Sequence, residues 1–140
     1  QMHPRLRADA RVVCIEKCNA RELTPQQLVA AGGPAAAAPF DLIVGDLSFI
    51  SQTLVWPALV PLLRPGGNGL LMLVKPQFEL QPENIGKNGL VKDPAMYPVI
   101  EKRIRTSLSE LGLKVTGWYD SAIDGGDGNR EFFVQATKPA

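Results

Sequence analysis

The chain has 140 residues, of which 45% are hydrophobic, and its formal net charge is +1. Its length is that of one ordinary domain and its apolar content is enough to bury a core, so we predict a single domain. The near-balanced charge excludes a basic field over the whole chain, so any contact with nucleic acid has to come from a local patch or from another module.

The composition also argues against metal and membrane functions. One histidine and two cysteines are present, which is too few for a metal site with four ligands of the usual kind. We expect no metal, and reduced thiols as in a cytoplasmic protein. No apolar run approaches the ~20 residues of a spanning helix and no signal-peptide pattern is found, so we expect no membrane partner.

Residues 11–16 form an apolar run that predicts a short buried strand ending on Glu16, with Asn19 close behind it. Both side chains could meet a ligand at the end of this strand, but a simple turn is the favoured interpretation. Thr24, followed by a proline and then by Gln27, gives the capping-box signature of a helix that ends at Gly32.

Two further apolar runs, at residues 40–46 and 70–74, are typical of strands that are covered on both faces. A charged residue lies at the carboxyl end of each run. Asp46 is the last residue of the first run, and Lys75 directly follows the second. Residues 50–63 between them have apolar side chains on roughly one helical face, with prolines that must bend or shorten the helix. Strand, helix and strand together predict a right-handed crossover and a parallel pair.

Lys75 therefore lies where open α/β sheets bind their ligands, at the carboxyl end of a buried parallel strand. Pro76 cannot continue a central strand, and it restricts the backbone of Lys75 to extended geometry. This restriction limits the directions in which the Lys75 side chain can project. On position alone, a lysine that extends to water at a strand end is an equally good interpretation. The neighbouring residues have to decide between the two.

The last third of the chain predicts a long loop, a helix and two strands. Residues 79–92 are polar and unusually long for a loop, which favours a functional or disordered segment. Apolar residues at close to four-residue spacing predict a core-facing helix that is capped by Asp93 and ends at Gly112. Strands are expected at residues 114–119 and 130–137.

The link between these two strands is rich in glycine, but it precedes no helix and so is not a phosphate-binding loop of either common pattern. Glu131 opens the final strand, and taken alone it is an ordinary acid at a strand edge. Together with Asp46 and Lys75 it supplies an acid, a base and a second acid at the ends of separate elements. A partly desolvated lysine between carboxylates is suited to proton transfer at a weakly acidic hydroxyl.

Four phrases of the chain resemble those of one known family. They are Asp-Leu-Ser-Phe-Ile-Ser at 46–51, Val-Lys-Pro-Gln-Phe-Glu at 74–79, Gly-Lys-Asn-Gly-Leu-Val at 86–91 and Gly-Asn-Arg-Glu-Phe at 128–132. All four look like those of the TlyA or haemolysin A family, whose members are S-adenosylmethionine-dependent ribosomal RNA 2′-O-methyltransferases with an FtsJ-like catalytic domain. The resemblance follows the family's order over nearly all of the chain, and the Lys-Pro-Gln-Phe-Glu phrase is particularly specific.

The resemblance implies an α/β fold of the Rossmann-like class I methyltransferase type, here incomplete, with a mostly parallel sheet, an antiparallel final strand and helices on both faces. In that class the strands lie in the order 3-2-1-4-5-7-6. Residues 1–140 would be the carboxy-terminal part of an FtsJ-like domain, without the first βαβ unit, its glycine-rich cofactor motif or the S4-like RNA-binding module. We therefore expect the 140 residues alone to be inactive.

The resemblance also implies roles for single residues. Asp46, Lys75 and Glu131 match the Asp, the second Lys and the Glu of the family's Lys-Asp-Lys-Glu catalytic tetrad, while its first Lys has no counterpart in this chain. Lys75 would draw off or stabilise the charge that develops on the ribose 2′-oxygen, and the two acids would orient and tune it. Asp46 would also touch S-adenosylmethionine, and Glu16 and Asn19 would approach its adenosine.

Ribosomal RNA, or a ribosomal subunit, is the partner that the resemblance implies for the parent protein, which would act in the cytoplasm. Lys87, Lys92 and Arg130 are candidates for contacts with RNA phosphates. Each of them could equally be a solvated surface residue.

Other classes of function stay open at this point. A non-catalytic fragment or scaffold of a Rossmann-like protein is the main alternative. A nucleotide-dependent dehydrogenase is excluded only weakly, because the diagnostic first βα turn is missing. A haemolysin that acts on membranes, as the family's historical name suggests, would need an amphipathic or spanning segment that this chain lacks.

The loss of the first two strands would leave residues 40–46 with an unpaired edge, and an exposed apolar edge strand is a template for pairing. We expect the later strands to keep the family's order. Residues 11–16 are expected to be displaced onto this edge, paired with a second copy, or poorly ordered. A homodimer through the exposed edge is the favoured outcome.

Overall fold

The computed structural model describes residues 2–126 and 128–140. Over these residues the chain forms four α-helices and four strands, joined in part by short 3-10 turns. In chain order they are α1 (Pro4–Arg7), α2 (Pro25–Gly32), β1 (Leu42–Asp46), α3 (Trp56–Leu59), β2 (Gly69–Val74), α4 (Met96–Glu110), β3 (Lys114–Asp120) and β4 (Phe132–Thr137). In this described part of the chain, no helix is both long enough and apolar enough to cross a bilayer.

The four strands form one mixed sheet in the order β1-β2-β4-β3. Strands β1 and β2 run parallel, with Leu42 opposite Gly69 and Asp46 opposite Leu73. Strand β4 runs antiparallel to both of its neighbours, β2 and β3. The prediction of an α/β fold with parallel strands and an antiparallel final strand is confirmed, and the strands keep the expected 4-5-7-6 part of the order.

Side chains from the sheet, α3 and α4 form one core cluster. Trp56 of α3 and three residues of α4, Ile100, Ile104 and Leu108, are fully buried in it. The buried contribution of the two central strands consists of Leu70, Met72, Val74, Phe132, Val134 and Ala136. Each buried aliphatic side chain stabilises the fold by about 1.5–3 kcal/mol. The cluster therefore holds β2 and β4 firmly in place, and with them the residues that follow β2 and precede β4.

Helices α2 and α4 form where the sequence predicts helices, but α4 begins at Met96 with Ala95, and not the predicted Asp93, as its N-cap. Helix α2 begins with the predicted capping box, in which Thr24 Oγ1 accepts from Gln27 N–H at 3.1 Å and Gln27 Oε1 accepts from Thr24 N–H at 3.2 Å. The predicted helix at 50–63 is reduced to α3 between two 3-10 turns, Gln52–Leu54 and Val60–Leu62. The prolines in that segment remove the N–H groups that a longer helix would need.

The prediction of a strand at residues 11–16 is wrong. This segment has no strand partner among the described residues, and a strand needs a neighbour that pairs its backbone N–H and C=O groups. The segment packs on helix α2 instead: a Cβ atom on Gly32 would come within 2.7 Å of Val13 Cγ1 and 3.1 Å of Ile15 Cδ1. Glu16 and Asn19 therefore lie outside the sheet.

Strand β1 lies at one edge of the sheet and pairs with β2 alone within the described residues. Leu42 is 49% exposed and Val44 is 65% exposed, so the prediction of a strand covered on both faces is wrong for β1. The edge that we expected to be unpaired is unpaired here, and residues 11–16 do not cover it.

Candidate active site at the ends of the parallel strands

The carboxyl ends of β1 and β2 lie side by side. Asp46 is the last residue of β1 and Lys75 directly follows β2. Lys75 has the extended backbone, with φ −108° and ψ 103°, that a residue before proline adopts. Asp46 is in register with Leu73, and alternate residues of a strand share a face. Asp46 and Lys75 therefore project to the same side of the sheet.

The structure brings Asp46 and Lys75 into direct contact. Lys75 Nζ lies 2.6 Å from Asp46 Oδ1 and donates to Ser48 Oγ at 3.0 Å. The Lys75 side chain is 16% exposed, whereas the Asp46 side chain is 65% exposed. The ammonium is thus held by two oxygens of the preceding strand and loop, which decides against a lysine that simply extends to water.

Glu131 immediately precedes β4, in which Phe132 pairs with Val74 of β2. Continuing this antiparallel register by one residue sets Glu131 opposite Lys75, and opposite residues of an antiparallel pair project to the same face. The main-chain oxygen of Glu131 accepts from Ser121 N–H at 2.9 Å. The three candidate catalytic residues therefore come from adjacent strand ends on one face of the sheet.

The loops that follow β1 and β2 are joined by buried hydrogen bonds. Gln52 N–H donates to Glu79 Oε1 at 2.9 Å, and Ser51 Oγ donates to Glu79 Oε2. The Gln52 side chain also donates, through Nε2, to the main-chain oxygen of Leu73 in β2. Gln52 and Glu79 are only 2% and 5% exposed. This polar cluster ties the two loops to each other.

Glu79 is a carboxyl group held away from water. Its burial raises its pKa above the ordinary value, and the hydrogen bonds from Ser51 and from Gln52 N–H, together with the charge of Arg103, offset part of that rise. Arg103 of α4 also donates to the main-chain oxygen of Glu79. The sequence did not lead us to predict this role, although Glu79 closes the most specific of the four phrases.

Phe49 is a second feature that was not predicted from the sequence. Its ring is 89% exposed, and its backbone is in the left-handed region with φ +63°, which non-glycine residues rarely adopt. The ring contacts that of Phe78 from the loop after β2, with centroids 5.2 Å apart. An aromatic residue held open in a strained conformation, one position after Ser48, marks a candidate ligand surface.

Glu16 and Asn19 lie at a separate, open cavity of about 520 Å³. Its walls also include Ile15, Gln27, Ala30 and Ala31. Glu16 pairs with Arg7. Asn19 Oδ1 accepts from Arg21 N–H at 3.0 Å, so Asn19 has the local role expected of a turn. No hydrogen bond or ion pair of the described residues joins either of them to Asp46 or Lys75.

The long loop after β2 is held in place by Asn129, which is 2% exposed. Asn129 Oδ1 accepts from Val91 N–H at 2.9 Å, and its Nδ2 donates to the Gly89 main-chain oxygen at 2.7 Å. Of the candidate phosphate ligands, Lys87 and Lys92 are exposed on this loop. These contacts show that a part of the loop is ordered around the residues just before Glu131.

Arg130, the third candidate phosphate ligand, is already engaged. Its guanidinium pairs with Asp120 at 3.1 Å and lies over the rings of Tyr97 and Phe132, at 5.3 and 5.2 Å from their centroids. These contacts anchor the start of β4 on α4 and β3. Lys87 and Lys92 are therefore the better candidates for a phosphate contact.

Comparison with known proteins gives a consistent family. The sequence model described as "FtsJ-like methyltransferase" matches residues 1–138. The chain is 40% identical over 139 residues to "Putative rRNA methyltransferase YqxC" of Bacillus subtilis, a match that covers 99% of the chain and 47% of that protein. It is also 40% identical over 129 residues to "16S/23S rRNA (cytidine-2'-O)-methyltransferase TlyA" of Mycobacterium tuberculosis, covering 92% of the chain and 45% of that protein.

A solved structure shares both the fold and the sequence. The protein named "Putative hemolysin from Streptococcus thermophilus" superposes with a TM-score of 0.87 at 34% identity, over 99% of this chain and 47% of its own. The chain thus spans about half the length of the relatives that it matches.

Proposed function

The chain belongs to the FtsJ-like methyltransferase family, and from that premise we propose that the whole protein transfers a methyl group from S-adenosylmethionine to a ribose 2′-hydroxyl of ribosomal RNA. The observation that carries the proposal is the contact between Lys75 Nζ and Asp46 Oδ1 at the ends of adjacent parallel strands. The activity is assigned to the whole protein because the chain spans about half the length of its relatives.

Lys75 is the residue that we propose acts on the substrate hydroxyl. A ribose 2′-hydroxyl is a weak acid, and its oxygen becomes a good nucleophile only as the proton leaves. A nitrogen fixed beside that oxygen can draw off the proton or stabilise the charge that develops. Lys75 suits this role because its side chain is largely shielded from water and its Nζ is held by Asp46 and Ser48.

Asp46 and Glu131 are proposed to orient and tune Lys75. A carboxylate at hydrogen-bond distance fixes the position of an ammonium group, and a fixed position is what a transfer reaction needs from its catalytic group. Asp46 contacts Lys75 through Oδ1 and remains 65% exposed, so its outer side can face a cofactor. Glu131, opposite Lys75 by continuation of the strand register, supplies the second acid.

S-adenosylmethionine would supply a methyl group that its sulfonium activates for transfer. In this chain the residues proposed to hold it are Asp46, with Glu16 and Asn19 at the open cavity of about 520 Å³. That volume is within the usual range of small-molecule sites. The lining is mixed, and its carboxylate, its amide and the apolar side chains of Ile15, Ala30 and Ala31 suit an adenosine. The sequence has no glycine-rich turn leading from a strand into a helix, and we propose that another part of the whole protein provides it.

The RNA is proposed to lie across the same strand ends. Phe49 offers an exposed ring on which an unpaired base can stack, the mode by which proteins commonly hold single-stranded RNA. Lys87 and Lys92 are exposed and are proposed to contact phosphates, which position the RNA without reading its sequence. A ribosomal RNA substrate would place the protein in the cytoplasm.

The free edge of β1 supports a further part of the proposal, that two copies of the chain can pair as a homodimer. Val44 is 65% exposed on a strand that has one neighbour in the described sheet. Unpaired backbone groups beside exposed apolar side chains favour the addition of another strand.

Methyl transfer by the full-length protein tests the proposed function. Purified protein would be incubated with radiolabelled S-adenosylmethionine and ribosomal subunits that lack the modification. We expect label in ribosomal RNA, at a nucleotide whose linkage resists alkaline hydrolysis because its 2′-oxygen is blocked. Label on a base or on protein would overturn the ribose assignment, and a folded protein that labels no RNA would overturn the function.

A further inference from the structure

Glu79 is buried between the two loops that carry the candidate active site, yet it contacts neither Asp46 nor Lys75 among the hydrogen bonds and ion pairs of the described residues. Its two carboxylate oxygens accept from the loop after β1, one from Gln52 N–H at 2.9 Å and the other from Ser51 Oγ. The residue is 5% exposed. A carboxylate with both oxygens satisfied and little access to water fixes the groups around it.

Glu79 is linked rigidly to Lys75. The residues between them form the 3-10 turn Pro76–Phe78, in which Phe78 N–H donates to the Lys75 oxygen at 3.0 Å and Glu79 N–H donates to the Pro76 oxygen at 2.9 Å. Arg103 of the core helix α4 holds the Glu79 main-chain oxygen. The position of the Glu79 carboxylate is therefore set by the same turn that follows Lys75.

The partners of Glu79 are close in sequence to the residues that hold Lys75. Ser51 lies three positions after Ser48, whose Oγ accepts from Lys75 Nζ at 3.0 Å. Gln52 carries a second link, because its side chain donates to the Leu73 oxygen of β2. The loop after β1 is thus attached at two points to β2 and the turn that follows it. At its start Ser48 accepts from the Lys75 ammonium, and further along Gln52 bonds to Glu79 and to the Leu73 oxygen.

We propose that Glu79 is a positioning residue of the methyl-transfer site: its carboxylate clamps the loop after β1 to the turn after β2 and so holds Asp46 and Ser48 against the Lys75 ammonium. This inference rests on the proposed function. The carboxylate acts through the two loops and not on the substrate. Burial raises the pKa of Glu79, and the hydrogen bonds from Ser51 and Gln52 N–H that form the clamp offset part of that rise.

The test compares four variants of the full-length protein with the wild type. Glu79→Ala removes the clamp, Glu79→Gln keeps a side chain of the same shape with one acceptor for Gln52 N–H, and Ser51→Ala removes one donor. Glu83→Ala, at an exposed position in the next turn of the same loop, is the matched control. The measurements are kcat and KM for methyl transfer, the stoichiometry of cofactor binding as a count of folded sites, and hydrogen exchange of the Gln52 amide.

We expect Glu79→Ala to lower kcat by about tenfold or more, because small displacements of a reacting group are costly, with KM and the number of folded sites unchanged. The Gln52 amide should exchange faster in this variant. Glu79→Gln should keep kcat within about threefold of the wild type, Ser51→Ala should fall between the two, and Glu83→Ala should match the wild type. A residue that only stabilised the fold would lower the number of active sites and leave kcat per site unchanged.

Two results would overturn the role of Glu79. One is an unchanged kcat in Glu79→Ala although the Gln52 amide exchanges faster. The other is a Gln52 amide that exchanges in Glu79→Ala at the rate of the wild type. If Glu79→Ala does not fold, a normal kcat in Ser51→Ala overturns it. Failure of the proposed function looks different, because the wild type itself would then transfer no methyl group to RNA.

Discussion

The Lys75 ammonium and the Asp46 carboxylate, 2.6 Å apart, join the ends of two neighbouring parallel strands. The two partners differ in exposure, since the lysine side chain is largely shielded and the aspartate is mostly open. The protein therefore fixes the position of Lys75 Nζ, while Asp46 remains accessible to a ligand. A shielded, fixed nitrogen beside an open carboxylate suits Lys75 to act on a substrate hydroxyl.

Lys75→Ala in the full-length protein is expected to reduce methyl transfer by about 10²–10⁴-fold, the range typical of a lost general acid or base. The fold should persist, because the Asp46 carboxylate that loses its partner is 65% exposed and can be solvated by water. Incorporation of labelled methyl groups and the thermal unfolding midpoint are the two measurements. Lys102→Ala, at an exposed lysine of α4, is the control, and undiminished incorporation by Lys75→Ala would remove Lys75 from the mechanism.

Phe49→Ala is expected to weaken the binding of the RNA substrate and not the fold. Loss of a stacked base costs about 1–3 kcal/mol, so KM for RNA should rise by roughly tenfold or more, whereas truncating a ring that is 89% exposed should change the free energy of unfolding little. Val99→Ala, at an exposed position on α4, is the matched control. Equal KM values for Phe49→Ala and Val99→Ala would argue against a stacking surface.

Much of the sheet and of the site could be predicted from the sequence, because the relevant signals are local. Apolar runs that end in a charge indicated the ends of β1 and β2, and parallel strands necessarily bring such ends to one edge. The sequence alone was therefore enough to place Asp46 and Lys75 together. Helix α4 followed from its apolar spacing in the same way.

The predictions that were wrong or missing concern properties that a local sequence pattern does not determine. An apolar run does not specify a strand partner, and residues 11–16 are exposed or only half-buried and contact α2 instead of pairing in the sheet. Likewise, nothing in the spacing of polar residues tells which of them are buried. Glu79 and Asn129 both look like loop residues in the sequence, yet each organises a loop through buried hydrogen bonds.

Glu79 also gives the protein a specific dependence on pH. Burial raises its pKa above the ordinary value of 4.5, so the folded chain binds a proton at Glu79 more tightly than the unfolded chain does. Glu79 contributes most to stability at a pH below the pKa that its carboxyl has in the unfolded chain. This contribution is lost as the pH rises through the higher pKa of the folded chain. Glu79→Gln carries no charge at any pH and should lose this dependence.

The free energies of unfolding in urea, measured between about pH 4 and pH 7, test this expectation. Glu79→Gln should gain stability relative to the wild type as the pH rises across that range. Glu83→Gln serves as the control for the loss of one carboxylate from the same loop. If the free energies of unfolding of Glu79→Gln and the wild type differ by the same amount at every pH, the prediction is contradicted.

The 140 residues on their own should bind S-adenosylmethionine feebly or not at all. The open cavity beside Glu16 and Asn19 would form one side of the proposed cofactor site, and no turn of this sequence has the glycine-rich form whose backbone would enclose the rest. Calorimetric titration of the isolated chain and of the full-length protein compares the two directly. Micromolar affinity in the isolated chain would show that the cofactor site has been misplaced.

Self-association of the 140-residue chain through the edge of β1 is the last prediction. Val44 is 65% exposed on this edge strand, and charged side chains, lysine especially, are one of the devices by which natural edge strands resist pairing. Val44→Lys should therefore shift the chain from dimer to monomer in sedimentation velocity. Val99→Lys, which places the same charge on the exposed side of α4, should leave the dimer intact. A wild-type chain that stays monomeric at its highest soluble concentration would defeat the idea, and so would a dimer that both lysine variants retain, because its interface would then lie away from β1.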